Sequence, residues 1–205
     1  MNLDQIWNCI DEANSIVDIG LRRSAIEDSI YSLKDLIRSG NIQGWYPLGY
    51  AYYCHPDRQI ESSIVATETV RSLENAIQND IEVPLAHLYL AFHFFDYKEF
   101  EKAGFHIDLI EEGELDETML IRLRELDLCI SILKIGLENS LAKIDSYINF
   151  IASLIDLAVP PINLINTLED ILSKTSVSQA VYEVLNRLDH AYPVLGQKGF
   201  TRFLN

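Results

Sequence analysis

Ten residues constrain this chain more than any other stretch: Gly44-Trp45-Tyr46-Pro47-Leu48-Gly49-Tyr50-Ala51-Tyr52-Tyr53. Wound as a helix, they place Trp45, Leu48 and Tyr52 on one stripe at i, i+3 and i+7, the spacing of a buried face. Gly49 lies beside that stripe, where a missing Cβ lets a second helix come close. Pro47 is compatible with a helix only in the first turn, where its absent N–H has no intrahelical partner. Tyr46, Tyr50 and Tyr53 follow i, i+4 and i+7 on the other side, an aromatic face that the buried stripe does not require.

These spacings predict an all-α chain. Apolar residues recur at helical intervals along most of its length. A helix starts at Asn2 with Gln5 as a capping box and runs through Leu3, Ile6, Ile10, Ala13 and Val17 to a stop at Gly20. Ser24 with Glu27 opens a second, with Ile26, Ile30, Leu33 and Ile37 inward. After the Trp45–Tyr53 helix, His55-Pro56 reads as a loop, and a helix over about 60–79 buries Ile64, Val70, Leu73 and Ile77. Pro84 opens the next, through Phe95, and Asp96 with Glu99 forms a capping box for one ending near Gly113. Further helices follow over 115–135 and from Leu141 through Ile144, Ile148, Ile151 and Ile155. One begins near Ile162, and a last is capped by Ser176 and Gln179. No segment alternates and no Asn-Gly or Asp-Gly turn occurs, so roughly nine or ten helices and no sheet are expected. The 205 residues read as a single domain (1–205), made of an N-terminal hairpin (1–40), central hairpins (41–113) and C-terminal helices (114–205).

Trp45, Leu48, Gly49 and Tyr52 fit an aromatic–Leu–Gly–aromatic pattern that resembles the first helix of a tetratricopeptide repeat, with Ala76 as the small residue of its second helix. A weaker copy lies forty positions on: Leu85 matches Trp45, Leu88 matches Leu48, Phe92 matches Tyr52 and His93 matches Tyr53, while Tyr89 replaces Gly49. The spacing from Tyr53 to Ala76 exceeds a standard unit of roughly 34 residues, and the longer Sel1-like repeats fit it about as well. The resemblance implies an α-α superhelix of stacked hairpins whose first helices line a binding groove. Tyr46, Tyr50, Tyr53 and His93 would then face that groove. The competing reading packs the tyrosines against the preceding hairpin.

Charge narrows the partners. The formal net charge is −15, which argues against direct nucleic-acid binding and favours association with basic proteins. Asp108, Glu111, Glu112, Glu114, Asp116 and Glu117 form an acidic run with no basic residue among them. Like charges in contact repel by about 1 kcal/mol in water, so the run points to a positive partner, although a solvated face is the plainer reading.

Chemistry is weakly signalled. Cys9, Cys54 and Cys129 have no metal spacing and predict a reduced, cytoplasmic setting. The polar start, Met1 to Gln5, lacks the pattern of a signal peptide, and the apolar region from Leu141 to Pro161 is broken by charges, so no membrane span is expected. His55, His87, His93, His106 and His190 include no HExxH and no i, i+4 pair. There is no GxSxG and no phosphate loop. No cofactor, metal or catalytic residue is assigned.

The expected function is a non-catalytic protein-binding module. In size, acidity and lack of a catalytic motif the chain resembles bacterial immunity proteins, which occlude a basic toxin domain such as a nuclease. The alternatives are a tetratricopeptide-type adaptor that takes a peptide in its groove and, behind it, a helical enzyme of unassigned chemistry.

Overall fold

The computed structural model describes residues 2–60, 63–154, 161–174, 183–184 and 186–188. Every regular element among them is helical. The longer helices among the described residues are α1 (Leu3–Asn14), α2 (Ile19–Arg38), α3 (Trp45–Cys54), α4 (Ile64–Gln78), α5 (Val83–Asp96), α6 (Phe100–Asp108), α7 (Glu117–Ile135), α8 (Leu141–Ser153) and α9 (Ile162–Lys174). Residues 183–184 and 186–188 are helical as well. None of these helices is long and apolar enough to cross a membrane. The helices pack as adjacent hairpins, and the chain forms two compact units, Met1–Glu111 and Glu112–Asn205.

In the first unit each helix packs on the next, and α1, α3 and α5 also touch in that order. Two apolar clusters hold it together, and α3 belongs to both. Leu48, Ala51 and Tyr52 join Ile6, Ile10 and Ala13 of α1 and Ile26, Ile30 and Leu33 of α2. Tyr46, on the other side of α3, joins Leu73 and Ala76 of α4 and Ala86 and Leu90 of α5. A helix apolar on all sides must be covered on all sides, which makes α3 the centre of the unit. Gly49 sets the closest approach: a Cβ there would meet Leu73 of α4 at 2.6 Å. The extra length between Tyr53 and Ala76 is taken up by a short 3-10 turn, Pro56–Gln59, ahead of α4.

The helix ends show where side-chain chemistry overrides periodicity. The Asn2–Gln5 capping box forms with both hydrogen bonds. Gly20, expected to end α1, instead lies inside α2. Asp18 caps α2 by accepting the Leu21 N–H at 2.8 Å, and α1 ends at Asn14, leaving Val17 89% exposed. Ser24 and Glu27 therefore sit within α2 and cap nothing. Ile64, expected inward, is the first residue of α4 and is 80% exposed, because Ser63 caps the helix one residue before it. Glu99 precedes α6 without a side-chain cap, and Asp96 is drawn off by Arg58. Ile155 and the Ser176–Gln179 cap lie outside the described residues.

In the second unit α7 is the central helix. Ile121, Leu126, Leu128, Cys129 and Ile132 are buried on several of its sides, against Ile144, Ile148 and Ile151 of α8 and Leu164 and Leu168 of α9. Asp116 caps it through the Met119 N–H at 2.8 Å, and Gly136, at φ 87°, ends it in a conformation that glycine adopts without strain. Glu125 is fully buried in α7. It accepts the Leu164 N–H at 3.0 Å in the first turn of α9 and pairs with Arg122 at 3.1 Å. A carboxylate on those first N–H groups satisfies donors that have no partner within their own helix.

Candidate functional site

The hairpin-opening helices α1, α3 and α5 bring six aromatic rings onto one face. Helical spacing sets Tyr46, Tyr50 and Tyr53 along α3. Tyr89 of α5 reaches across to all three, with ring centroids at 6.3, 5.0 and 5.1 Å, the last two edge to face. Trp7 of α1 covers Tyr46 and Tyr50 at 5.7 and 5.3 Å, and Phe92 closes the other end 6.5 Å from Tyr53. Offset and edge-on pairs at these separations are favourable beyond their burial. Tyr46 is buried in this ladder, whereas Trp7, Tyr50, Tyr53, Tyr89 and Phe92 stay partly exposed. Part of the tyrosine face thus packs on the preceding hairpin, and its outer edges remain accessible. The position where Tyr replaces the glycine of the first copy is the one that joins the ladder across helices.

Burial raises the pKa of all three α3 tyrosines. Neighbouring charges add to it, Glu82 at Tyr46, Asp11 at Tyr50 and Asp96 at Tyr53. The hydroxyls therefore remain protonated and can donate. The same three carboxylates give the aromatic face its negative surroundings. Cys54 sits beside Tyr50, and the Asn14 amide donates to both its sulfur (3.3 Å) and the Tyr50 oxygen (3.4 Å). Burial pushes the Cys54 thiol up, away from the thiolate form a nucleophile needs.

Arg58 holds the far end. It is 6% exposed, with its guanidinium 4.0 Å above the Tyr53 ring. Its Nε donates to the Tyr53 carbonyl at 2.7 Å, and Nη2 reaches Asp96 at 2.8 Å. Tyr97 donates its hydroxyl to the Arg58 carbonyl. His93 is buried next to this group, 4.8 Å from Tyr97 between ring centroids. Burial, and secondarily the Arg58 charge, lowers its pKa to about 4. A residue so enclosed presents no surface to a groove.

At the near end, a cavity of about 290 Å³ opens between the first turns of α1, α3 and α5, with Trp7, Tyr46, Ile81, Glu82 and Leu85 in its wall. On the α5–α6 hairpin, His87 and His106 bring their Nδ1 atoms to 2.9 Å, and His106 stacks on Phe94. Spacing did not reveal this pair, because it needs the hairpin to close nineteen residues. Burial lowers both, and His106 comes down to about 4. His55 accepts the Asp57 N–H at 3.1 Å; His190 lies outside the described residues. Among the described residues no three His, Cys, Asp or Glu side chains are grouped to hold a metal.

The acidic run divides by role. Asp108 ends α6 and Glu111 follows it, both exposed, in the first unit. In the second unit Glu112 pairs with Arg124 through both oxygens at 3.2 and 2.7 Å, and Asp116 is the α7 cap. Glu114 and Glu117 are exposed. Asp108, Glu111, Glu114 and Glu117 make no ion pair among the described residues. Trp7, Arg58, Tyr89 and Glu125 were absent from the expected set. Trp7 and Tyr89 carried a usable signal as aromatics at helical spacing from apolar stripes, whereas Arg58 sits in a turn where no periodicity applies.

No protein-family model matches the chain, and no curated protein or solved structure is detectably similar to it, so it is described as an all-helical protein of adjacent hairpins without family assignment.

Proposed function

We propose that this chain is a non-catalytic binding module that docks a basic partner protein on the aromatic face of α1, α3 and α5. The observation that carries the proposal is the ladder itself: partly exposed Trp7, Tyr50, Tyr53, Tyr89 and Phe92 are held rigid by mutual packing and flanked by Asp11, Glu82 and Asp96. Aromatics with polar tips are favoured as interface anchors because they bury much area at little entropy cost. Unpaired carboxylates elsewhere on the chain steer a cationic partner and raise its on-rate.

The sharper form is an immunity-type protein that masks a basic toxin domain such as a nuclease. Adjacent hairpins with opening helices in mutual contact also suit a tetratricopeptide-like array. The tight Gly49–Leu73 approach and buried Ala76 favour that architecture. In an adaptor of this type the occupant would be a peptide; the acidic flanks favour a basic one over a carboxylate terminus.

Pull-down from native lysate with washes at rising salt, followed by association kinetics on the retained protein, tests the reading. A basic protein whose on-rate drops steeply with salt, and whose off-rate rises in Tyr50→Ala, is the expected result. Salt-independent capture unaffected by Tyr50→Ala would remove it.

A further inference from the structure

The cavity beside Trp7 has the composition of a receptor for one particular side chain. Its wall combines the Trp7 indole and the Tyr46 ring with the apolar side chains of Ile81 and Leu85, with Gln43 and a single carboxylate, Glu82, as its polar members. Ile81 is 3% exposed and anchors the α4–α5 turn, which leaves Glu82 in a left-handed conformation at φ 45° with its side chain exposed. Glu82 forms no ion pair among the described residues, and no Lys or Arg lines the cavity. The Asn2–Gln5 box closes the α1 terminus and Pro84 removes one N–H from that of α5, so Glu82 dominates the local charge.

The other end of the same ladder shows what such an arrangement holds. There Arg58 lies flat over Tyr53 at 4.0 Å with Asp96 beside it at 2.8 Å. A ring below and a carboxylate alongside is the combination that a guanidinium satisfies and an ammonium satisfies less well, because only the planar group stacks. Trp7 and Glu82 repeat that combination without an internal cation. A guanidinium on an unbranched apolar stem also suits a cavity whose wall mixes apolar side chains with the polar Gln43 and Glu82.

We infer that the cavity between the first turns of α1, α3 and α5 receives an arginine side chain from the partner protein, stacked on Trp7 and paired with Glu82. This inference rests on the reading of the aromatic face as the docking surface, and it supplies that surface with a specificity pocket.

The test uses the full-length, ¹⁵N-labelled protein and three acetylated, amidated tripeptides, Gly-Arg-Gly, Gly-Lys-Gly and Gly-citrulline-Gly. Expected are saturable shifts of the Trp7 indole N–H and the Leu85 amide with the arginine peptide, and at least fivefold weaker binding of the citrulline peptide, which keeps the shape but not the charge. Glu82→Gln, a change at an exposed turn, is expected to weaken the arginine peptide on the order of fivefold, the size of a partly exposed ion pair. Equal binding of the citrulline peptide, equal binding of the lysine peptide, or shifts centred away from Trp7 would each overturn the assignment. Separating the two readings is direct. A basic protein that docks on the face with an affinity unchanged by Glu82→Gln removes the pocket alone. An arginine peptide that fills the pocket while no basic protein associates removes the docking surface alone.

Discussion

Gly49 of α3 faces Leu73 of α4 so closely that a Cβ on the glycine would stand 2.6 Å from the leucine Cγ and 3.1 Å from its backbone nitrogen. The leucine side chain can yield only by disturbing a fully buried contact, and the backbone nitrogen cannot yield without moving α4. Gly49→Ala gains about 1 kcal/mol of helix propensity but overpacks by about 1–3 kcal/mol, so a net loss of up to about 2 kcal/mol is expected in urea unfolding. Leu73→Ala should cost about 2–5 kcal/mol by itself. In the double variant the alanine at 49 should cost less than it does alone, because the side-chain clash at 2.6 Å is gone and only the 3.1 Å approach to the backbone nitrogen remains. Strict additivity of the two would show that the close approach is not what limits packing.

Arg58 is the counter-charge, ring partner and hydrogen-bond donor of one corner at once. Arg58→Lys keeps only the charge and is expected to lose about 1–2 kcal/mol. Arg58→Ala, which leaves the half-buried Asp96 without a partner, should lose about 3 kcal/mol. Asp96 already sits above its ordinary range because burial outweighs Arg58; removing the guanidinium should raise it further, as carboxyl ¹³C titration would read. A lysine variant as stable as the parent would rule out the stacking role.

These two corners were not equally legible. Gly49, Leu48 and Tyr52 were placed correctly from spacing, because a helix fixes which residues share a stripe, and the repeat resemblance pointed to Ala76, which is buried. Arg58 was missed because it lies in a turn. Trp7 was missed although it stands four residues from Leu3, because it borders the α1 stripe and only α3 packed against that side shows it to be covered. Glu125 was passed over for a similar reason: a helix over 115–135 is expected to keep its charged residues on an outer face, and α9 packs on part of α7. The Gly20 stop failed because Asp18, a better terminus signal, stood two residues earlier.

His93 and His106 titrate at about 4, below the ordinary value near 6.5, mainly because burial disfavours the charged ring; Arg58 adds to this at His93 and His87 at His106. Between those values the unfolded chain binds more protons than the folded one. Their contribution is therefore complete above about pH 6.5 and is lost as pH falls toward 4. His93→Gln and His106→Gln should each flatten that part of the stability curve. Urea midpoints at pH 7 and pH 4.5 for the variants and the parent make the comparison, and parallel losses in all three would contradict it.

The acidic run should separate by role under mutation. Lysine at Glu111, Glu114 and Glu117 is expected to leave stability within about 0.5 kcal/mol while slowing association with a basic partner roughly tenfold or more at low salt. Asp116→Ala should instead cost about 1 kcal/mol for the lost α7 cap, with little kinetic effect. Stopped-flow association and thermal melts distinguish these; a kinetic effect confined to Asp116 would reverse the assignment.

The Glu125–Leu164 hydrogen bond ties two points thirty-nine residues apart in sequence. A polypeptide that stops at Leu154 therefore loses more than the length of its later helical residues. It uncovers the side of α7 on which α9 packs and leaves Glu125 with Arg122 but without the Leu164 N–H. The core of the second unit is complete only when residues on both sides of that hydrogen bond are present, so its closing contact is made by the later of the two segments to be synthesised.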